Sequence, residues 1–506
     1  MTSKICLVAV LAVSSSTSCT SGTKQDEPSA KPSGQAESAR PATPAQKTVP
    51  ITSKSPEAIA AFEKGRALVD HLRPMEARDL FQKAVELDPD FAMAHAYRAG
   101  TLEGAAATES LETARRLAPK VSEPERLWIE AMVLGRSGER AQALAAYRRV
   151  TEVAPDEWRA WLMVGGLSTE SNNHADAVAA FTKARDANPE AAMAWNGLAY
   201  ANARQRRWDE AVAAARKQTE LLPTEPNPQD TLGELLLMAG KLEEAEPAFH
   251  KAITIDPKFA IAWEGIALVR AYRGDFAGAK DAAAKEKEAA LSPAQRSNAD
   301  LTMAWISFAE GKTAEAMKTL EAVEKEPAYA DLPSGYVAAM SRAQMTYLLG
   351  KYPEAQKAWD AAQKLLATAR WPGAAREQRL SPSKATLFLA AKTAKAPDAA
   401  KAYAQLEAEA KKDAADTRLQ EELVLARGLV AWAKNDLKAA VSELANCPAS
   451  DTSCRYELYL AKKKGGDAAG AEATAQEITP TRDPLTLWIF HQVHPKVATR
   501  TPGKQL

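Results

Sequence analysis

An excess of charge of either sign is the first thing this chain lacks. Lys and Arg together number 65, Asp and Glu also 65, and the formal net charge is zero. A general nucleic-acid binder carries a basic excess or a basic stripe, so this balance argues against one. Glycine is low at 24 in 506 residues, and Val and Ile fall in short clusters while alanine abounds. Such a composition suits helices that approach closely and disfavours sheets. Cysteine numbers four and histidine six, with no CxxC pair among them. Phosphate-cradling GxxxxGK[ST], the GxSxG nucleophile turn and the zinc-binding HExxH are also missing. These absences remove the common routes to nucleotide, acyl-transfer and metalloprotease chemistry. Acidic residues are plentiful, but they fall on helix faces expected to be solvated, and no carboxylate pair stands out for acid/base work.

What is present begins with a targeting pattern. Lys4 precedes an apolar run over 5–13, and small residues follow up to Cys19. Nine apolar residues are far short of the roughly 20 that span a bilayer as a helix. The stretch resembles a bacterial lipoprotein signal, in which the chain is cut before a lipid-modified cysteine. It departs from that pattern where Ser16 stands three residues before Cys19, in the place the family usually gives to Leu. The resemblance implies removal of 1–18 and a lipid anchor at Cys19 in the cell envelope, on the outer membrane or periplasmic side of a two-membrane cell. A plain secretory signal, with Cys19 incidental and the protein soluble outside the cytoplasm, is the alternative. Residues 19–55 are rich in Ser, Thr, Pro, Gln and Lys with almost nothing apolar. Such a stretch is expected to be a flexible tether, because burial cannot offset its ordering entropy.

From about residue 56 the chain repeats itself. Ala143, Ala177, Ala211, Ala245 and Ala279 are evenly spaced, and Pro155, Pro189, Pro223 and Pro257 share the interval. Trp161, Trp195 and Trp263 fall on the same grid, with Gln229 in the vacant slot. Ala77 and Pro89 extend it backwards with a small deletion. The common step is 34, and a period of 34 with these residues resembles the tetratricopeptide repeat. Trp195, Leu198 and Ala199 match the first-helix motif of that family; Ala177, Phe181 and Ala184 match the second, and Pro189 the closing proline. The resemblance implies an all-α, right-handed superhelix of roughly eleven helical hairpins. Each residue type has its reason. Small side chains at Gly165, Ala199, Gly233 and Ala267 let paired helices approach, while Trp161, Trp195, Trp263, Phe181 and Phe249 fill the space to the next unit. One hairpin cannot cover its own apolar faces, so stacking is obligatory.

The register is regular over 77–290 and loosens beyond. Divergent repeats are expected over 291–375 and 376–480, with a tail or capping helix in 481–506. The stretch 371–383 breaks helical periodicity and is expected to join two sub-arrays. Pro247, inside a second helix, is expected to delay or kink it, since an interior proline costs about 3 kcal/mol. Cys6 leaves with the signal and Cys19 takes lipid, so Cys447 and Cys454 remain; in an oxidising envelope they are expected to pair. His491 and His494 lie three apart without further ligands nearby, and read as polar residues of the tail helix.

Surface is then the working part. In the family, first helices line an inner groove, and the register of Trp195 directs Asn196, Tyr200 and Arg204 into it. Later units contribute Asp230, Glu234, Glu264 and Tyr272, and an earlier one Trp128. Aromatic, amide and acidic side chains suit an extended peptide or a partner's helix. The acids disfavour a ligand held by its terminal carboxylate. The resemblance thus implies a non-enzymatic, envelope-anchored scaffold for a protein or peptide partner, with no cofactor, metal, small-molecule substrate or nucleic acid. The alternative is an enzyme or accessory subunit whose site hides in 371–506.

Overall fold

Small residues fix how the helices of this chain pair. In the computed structural model, which describes residues 47–71, 73–326, 334–369, 374–412 and 417–495, the repeated alanines 77, 143, 177, 211, 245 and 279 are all fully buried. A Cβ added to Gly165 would lie 2.6 Å from Phe181, and one on Gly233 2.7 Å from Phe249. Both pairs are sixteen residues apart in sequence, and Gly65 with Phe81 and Gly428 with Leu444 repeat the relation. In these four pairs the large side chain of the second helix therefore rests on a bare patch of its first helix. Burying such a ring contributes on the order of 2–3 kcal/mol, which is available only while the patch stays bare.

The described residues contain α-helices, one short 3-10 helix and no strand. The helices follow one another as twelve pairs and a last single helix. The early pairs are α1 (Pro56–Asp70) with α2 (Pro74–Leu87), α3 (Ala92–Ala99) with α4 (Gly104–Leu117), α5 (Glu123–Arg136) with α6 (Arg140–Val153), and α7 (Trp158–Glu170) with α8 (His174–Ala187). Next come α9 (Ala192–Arg204) with α10 (Trp208–Leu221), α11 (Pro226–Met238) with α12 (Leu242–Ile255), α13 (Ala260–Tyr272) with α14 (Phe276–Ala289), and α15 (Pro293–Ala309) with α16 (Thr313–Val323). The late pairs are α17 (Ser334–Leu348) with α18 (Tyr352–Ala367), α19 (Ala374–Thr393) with α20 (Ala396–Lys412), α21 (Thr417–Ala433) with α22 (Leu437–Leu444), and α23 (Thr452–Lys464) with α24 (Ala468–Gln476). Helix α25 (Pro484–Val493) follows alone.

The turn within each regular pair also keeps the period. Gly138, Asn172, Arg206, Gly240 and Gly274 all have positive φ, at a place where the chain reverses in the left-handed region. Glycine takes that conformation without cost; Asn172 and Arg206 hold it against their Cβ. The small deletion between Ala77 and Ala143 resolves into one short and one long unit. Helix α3 has only 8 residues, and an extra 3-10 helix, Ala118–Lys120, lengthens the next connection. Ala107, fully buried, stands in the alanine position of that unit.

The chain forms two compact units: one holds residues up to Ser168 with Ala179–Ala194, the other Thr169–Val178 and everything from Trp195. In the first unit, an aromatic cluster sits at the centre. Phe62, Phe81, Phe91, Tyr97, Trp128 and Tyr147 are each at most 2% exposed. Residues 47–55, the end of the stretch expected to be a tether, run without regular structure along this unit and are held by carboxylates. The Thr52 amide donates to Glu125 Oε1 at 2.8 Å, the Lys54 amide to Asp88 at 3.0 Å and the Val49 amide to Glu157 at 3.3 Å. Glu125 is fully buried and also completes the capping box of Ser122 at the start of α5. Val49 joins the apolar core at 5% exposure. Main-chain bonding to these acids is the order that composition alone did not disclose.

In the second unit, first helices lie side by side: α11 packs on α13, α13 on α15 and α15 on α17. Helix α12 runs unbroken from Leu242, in register with its neighbours, although Pro247 lies inside it. A late start is thus not seen. A proline there forgoes the bond to the Glu243 carbonyl, near the start of the helix. From Ala374 the expected joint is likewise continuous helix, with Pro382 inside α19, and the boundary between compact units falls elsewhere. Residues 371–373 lie outside the described residues. Cys447 and Cys454 are disulfide-bonded, with Cα atoms 6.0 Å apart, and both are buried beside Leu444 and Leu458 in one cluster. No described helix is long and apolar enough to cross a membrane. Cys19 and the signal pattern lie outside the described residues.

Candidate interaction site

Seven residues between α24 and α25 carry the centre of the site. They connect two helices, include Pro480, and run straight onto the wall of first helices in the second unit. Arg482 is the anchor. Its Nη2 donates to Asp230 Oδ1 at 2.6 Å, its Nη1 lies 3.4 Å from Glu264 Oε2, and its Nε is 3.8 Å from Glu234 Oε2. The Nη1 also donates to the Ile261 carbonyl at 3.3 Å. The guanidinium carbon sits 5.0 Å from the centroid of the Phe249 ring, within cation–π range.

Period places the acids. Asp230 and Glu234 are one helical turn apart on α11, and Glu264 on α13 stands one full repeat after Asp230. They therefore converge on one point of the wall. Glu286 on α14 is a fourth carboxylate nearby, 3% exposed and hydrogen-bonded to Asn298 at 2.9 Å. Burial opposes charge on all of these groups. It works against the Arg482 cation too, but Asp230, Glu234 and Glu264 outweigh it and hold the guanidinium pKa above its ordinary value. Burial raises the Glu234 carboxyl, Arg482 draws it back, and Asp230 pushes it up again, leaving a net rise. Glu286 is raised well above the usual carboxylate range by burial and by the charge of Glu264.

Tyrosines complete the surface. Tyr200 donates its hydroxyl to Glu234 at 2.9 Å, and burial lifts its own pKa. Tyr272, fully buried, handles the main chain of the segment: its hydroxyl donates to the Thr481 carbonyl at 2.9 Å and accepts the Thr481 amide at 3.1 Å. Arg206, at the tip of the α9–α10 turn, donates to the Glu477 carbonyl at 3.0 Å. Beyond Pro484 the chain becomes α25, which packs on α13, α15 and α23. Its Trp488, Ile489 and Val493 enter one cluster with Trp305, Phe308 and Tyr456. Phe490 meets the Tyr272 ring edge-on at 5.2 Å, and His491 bonds the Ala271 carbonyl at 2.9 Å. His494 reaches the Ile478 carbonyl at 3.3 Å.

Of the residues expected to face a groove, Tyr200, Asp230, Glu234, Glu264 and Tyr272 are thus brought together. Asn196 lies in the same unit, 8% exposed, and donates to Gln218 at 3.1 Å on its own pair's second helix. Arg204 is half-buried and acts electrostatically on His174. Trp128 is not displayed at all. It is 1% exposed, stacked on Tyr97 at 6.1 Å and edge-on to Tyr147 at 5.5 Å, so neighbours from its own and the preceding pair cover it. Sequence reasoning misses Arg482, because it lies off the period, in a connection whose targets on α11 and α13 are far upstream in the chain. Among the described residues no group of three or more His, Cys, Asp and Glu is placed to hold a metal.

Comparison with known proteins agrees with the repeat geometry. The tetratricopeptide-repeat family model matches residues 62–121, 130–181 and 169–226, so these segments, less than half of the chain, carry tetratricopeptide repeats. Among solved structures, MamA is 23% identical, with 31% of this chain and 93% of MamA covered at a TM-score of 0.30. YrrB, described as a TPR protein with an unusual peptide-binding site, is 19% identical, covering 43% and 96% at 0.29. PilW, described as a type IV pilus biogenesis factor, is 19% identical, covering 40% and 94% at 0.35. No curated protein matches the sequence. Repeats of this kind generally serve protein–protein interaction, through the extended surfaces that stacked units create.

Proposed function

We propose that this chain is a non-enzymatic scaffold, tethered to the cell envelope through lipid on Cys19, whose first-helix wall binds an extended segment of a partner protein. One observation carries the reading. The wall already holds a seven-residue connection without regular structure, through main-chain hydrogen bonds from Tyr272 and Arg206 and a charge pocket for Arg482. A surface that holds its own chain this way has the chemistry to hold another's. The envelope location rests on the apolar run at 5–13, the small residues before Cys19 and the Ser/Pro-rich stretch after it.

A photo-crosslinking residue at Arg204, four residues after Tyr200 on α9, tests the scaffold in native cells. One protein should be captured, and Asp230→Asn with Glu264→Gln should abolish the capture. Capture that ignores those substitutions, or none at all, contradicts the reading. For the anchor, a fatty-acid analogue should label the wild type and not Cys19→Ser; equal labelling of both removes Cys19 from the account.

A further inference from the structure

Resting on that reading, we infer that the Asp230–Glu234–Glu264 pocket is an arginine subsite, and that the partner presents an arginine in an extended segment which takes the place of Arg482. The pocket is shaped for a guanidinium. Its planar fork reaches Asp230, Glu264 and the Ile261 carbonyl, approaches Glu234, and lies over the Phe249 ring. A lysine ammonium offers one nitrogen on a flexible stem and cannot meet these groups together. An empty pocket would leave Asp230, Glu234, Glu264 and Glu286 clustered without a cation, which buried carboxylates do not tolerate.

Charge selectivity resides in that one side chain. The other hydrogen bonds that hold 477–482 to the wall reach main-chain atoms, the Glu477 carbonyl by Arg206 and the Thr481 carbonyl and amide by Tyr272, while Ile478 adds an apolar contact in the cluster of Trp305 and Phe308. Any residue in an extended conformation supplies those atoms. Pro480 and Pro484 restrict the segment to such a conformation, so little ordering remains when it docks. A partner segment with arginine between short polar residues and prolines meets the same conditions. Because 478–483 is part of the same chain, it competes at high effective concentration, and an outside ligand sees the pocket only in the fraction of molecules where it is vacant.

The test uses the full chain and a fluorescent peptide with the sequence of 478–485, ITPTRDPL. Binding should be weak to the wild type and at least tenfold tighter to Arg482→Ala, in which the wall is untouched. The peptide with Gln for Arg should bind neither, and adding Asp230→Asn and Glu264→Gln to Arg482→Ala should abolish binding. Thr481→Pro, which removes the amide bonded to Tyr272 and the hydroxyl that accepts the Asp483 amide, is a second route to a vacated pocket and should also tighten binding. In the wild type, saturating peptide should speed hydrogen exchange at the Thr481 amide, a readout that needs no variant. Unchanged affinity in both variants, equal binding of the Gln peptide, or unaltered Thr481 exchange at saturation overturns the inference. So does a wild-type dimer that exchanges 478–493, which would assign the pocket to a second copy. If these fail while the Arg204 crosslink to a partner persists, the scaffold stands and only the arginine subsite falls.

Discussion

At the scale of single residues, the chain is governed by where a Cβ is forbidden and where a charge is required. Gly233 faces the Phe249 ring so closely that an added Cβ would sit 2.7 Å from it. Gly233→Val should therefore destabilise the α11–α12 pair by about 1–3 kcal/mol. Thermal melting against the wild type checks this, and a surface control such as Lys251→Ala should move by less than about 0.5 kcal/mol. Such positions are legible in sequence because packing tolerates so little there: the evenly spaced alanines are all buried where their period placed them. The residues around Arg482 were legible in part. Asp230, Glu234, Glu264 and Tyr272 follow from the register of Trp195, but the same register misplaces Trp128. Periodicity says which way a side chain points, not what lies above it, and Tyr97 covers that ring.

At the scale of elements, α25 is the informative one. Sequence marks it as a short apolar helix after Pro484; that it packs on α13, α15 and α23 follows from long-range contacts that no local pattern encodes. His491 makes the docking pH-sensitive. Burial lowers its pKa, the Ala271 carbonyl opposes that, and His494 lowers it further, for a net fall. The unfolded chain, with an ordinary value of about 6.5, takes up a proton first as pH drops, so the folded state loses stability from about pH 6.5 downward. Glu234 and Glu286, with raised values, act with the opposite sign, since protonation favours the fold for them. Comparison with a variant separates the two. Between pH 7.5 and 5.5, exchange of the α25 amides should accelerate in the wild type, and His491→Gln, which keeps a donor for Ala271 without titrating, should reduce that acceleration. Equal pH dependence in the two proteins would remove His491 from this role.

At the scale of the whole molecule, repetition produces a wall and the non-repeating segments decide what the wall touches. Two stretches off the period behave alike. Residues 47–55 lie against Asp88, Glu125 and Glu157 in the first unit, and 477–483 against Asp230, Glu234 and Glu264 in the second. In each unit, carboxylates from more than one helical pair hold a stretch without regular structure. The architecture was legible because identical packing problems recur with every repeat and have the same solution. Its occupants were not, because an extended segment carries no periodic signal and finds its acids only once the stack has formed. Divergent units after residue 290 show the same limit: Gly428 and Leu444 repeat the glycine–large pairing, but with leucine in place of the phenylalanine that marks it earlier.

Hydrogen exchange at residues 478–483 tests the central claim most directly. With Asp230→Asn and Glu264→Gln together, amides of this stretch should exchange at least tenfold faster while those of α12 and α14 keep their protection. Unchanged exchange over 478–483 in that variant would contradict the account, because it would mean the segment is held there by something other than the acidic pocket.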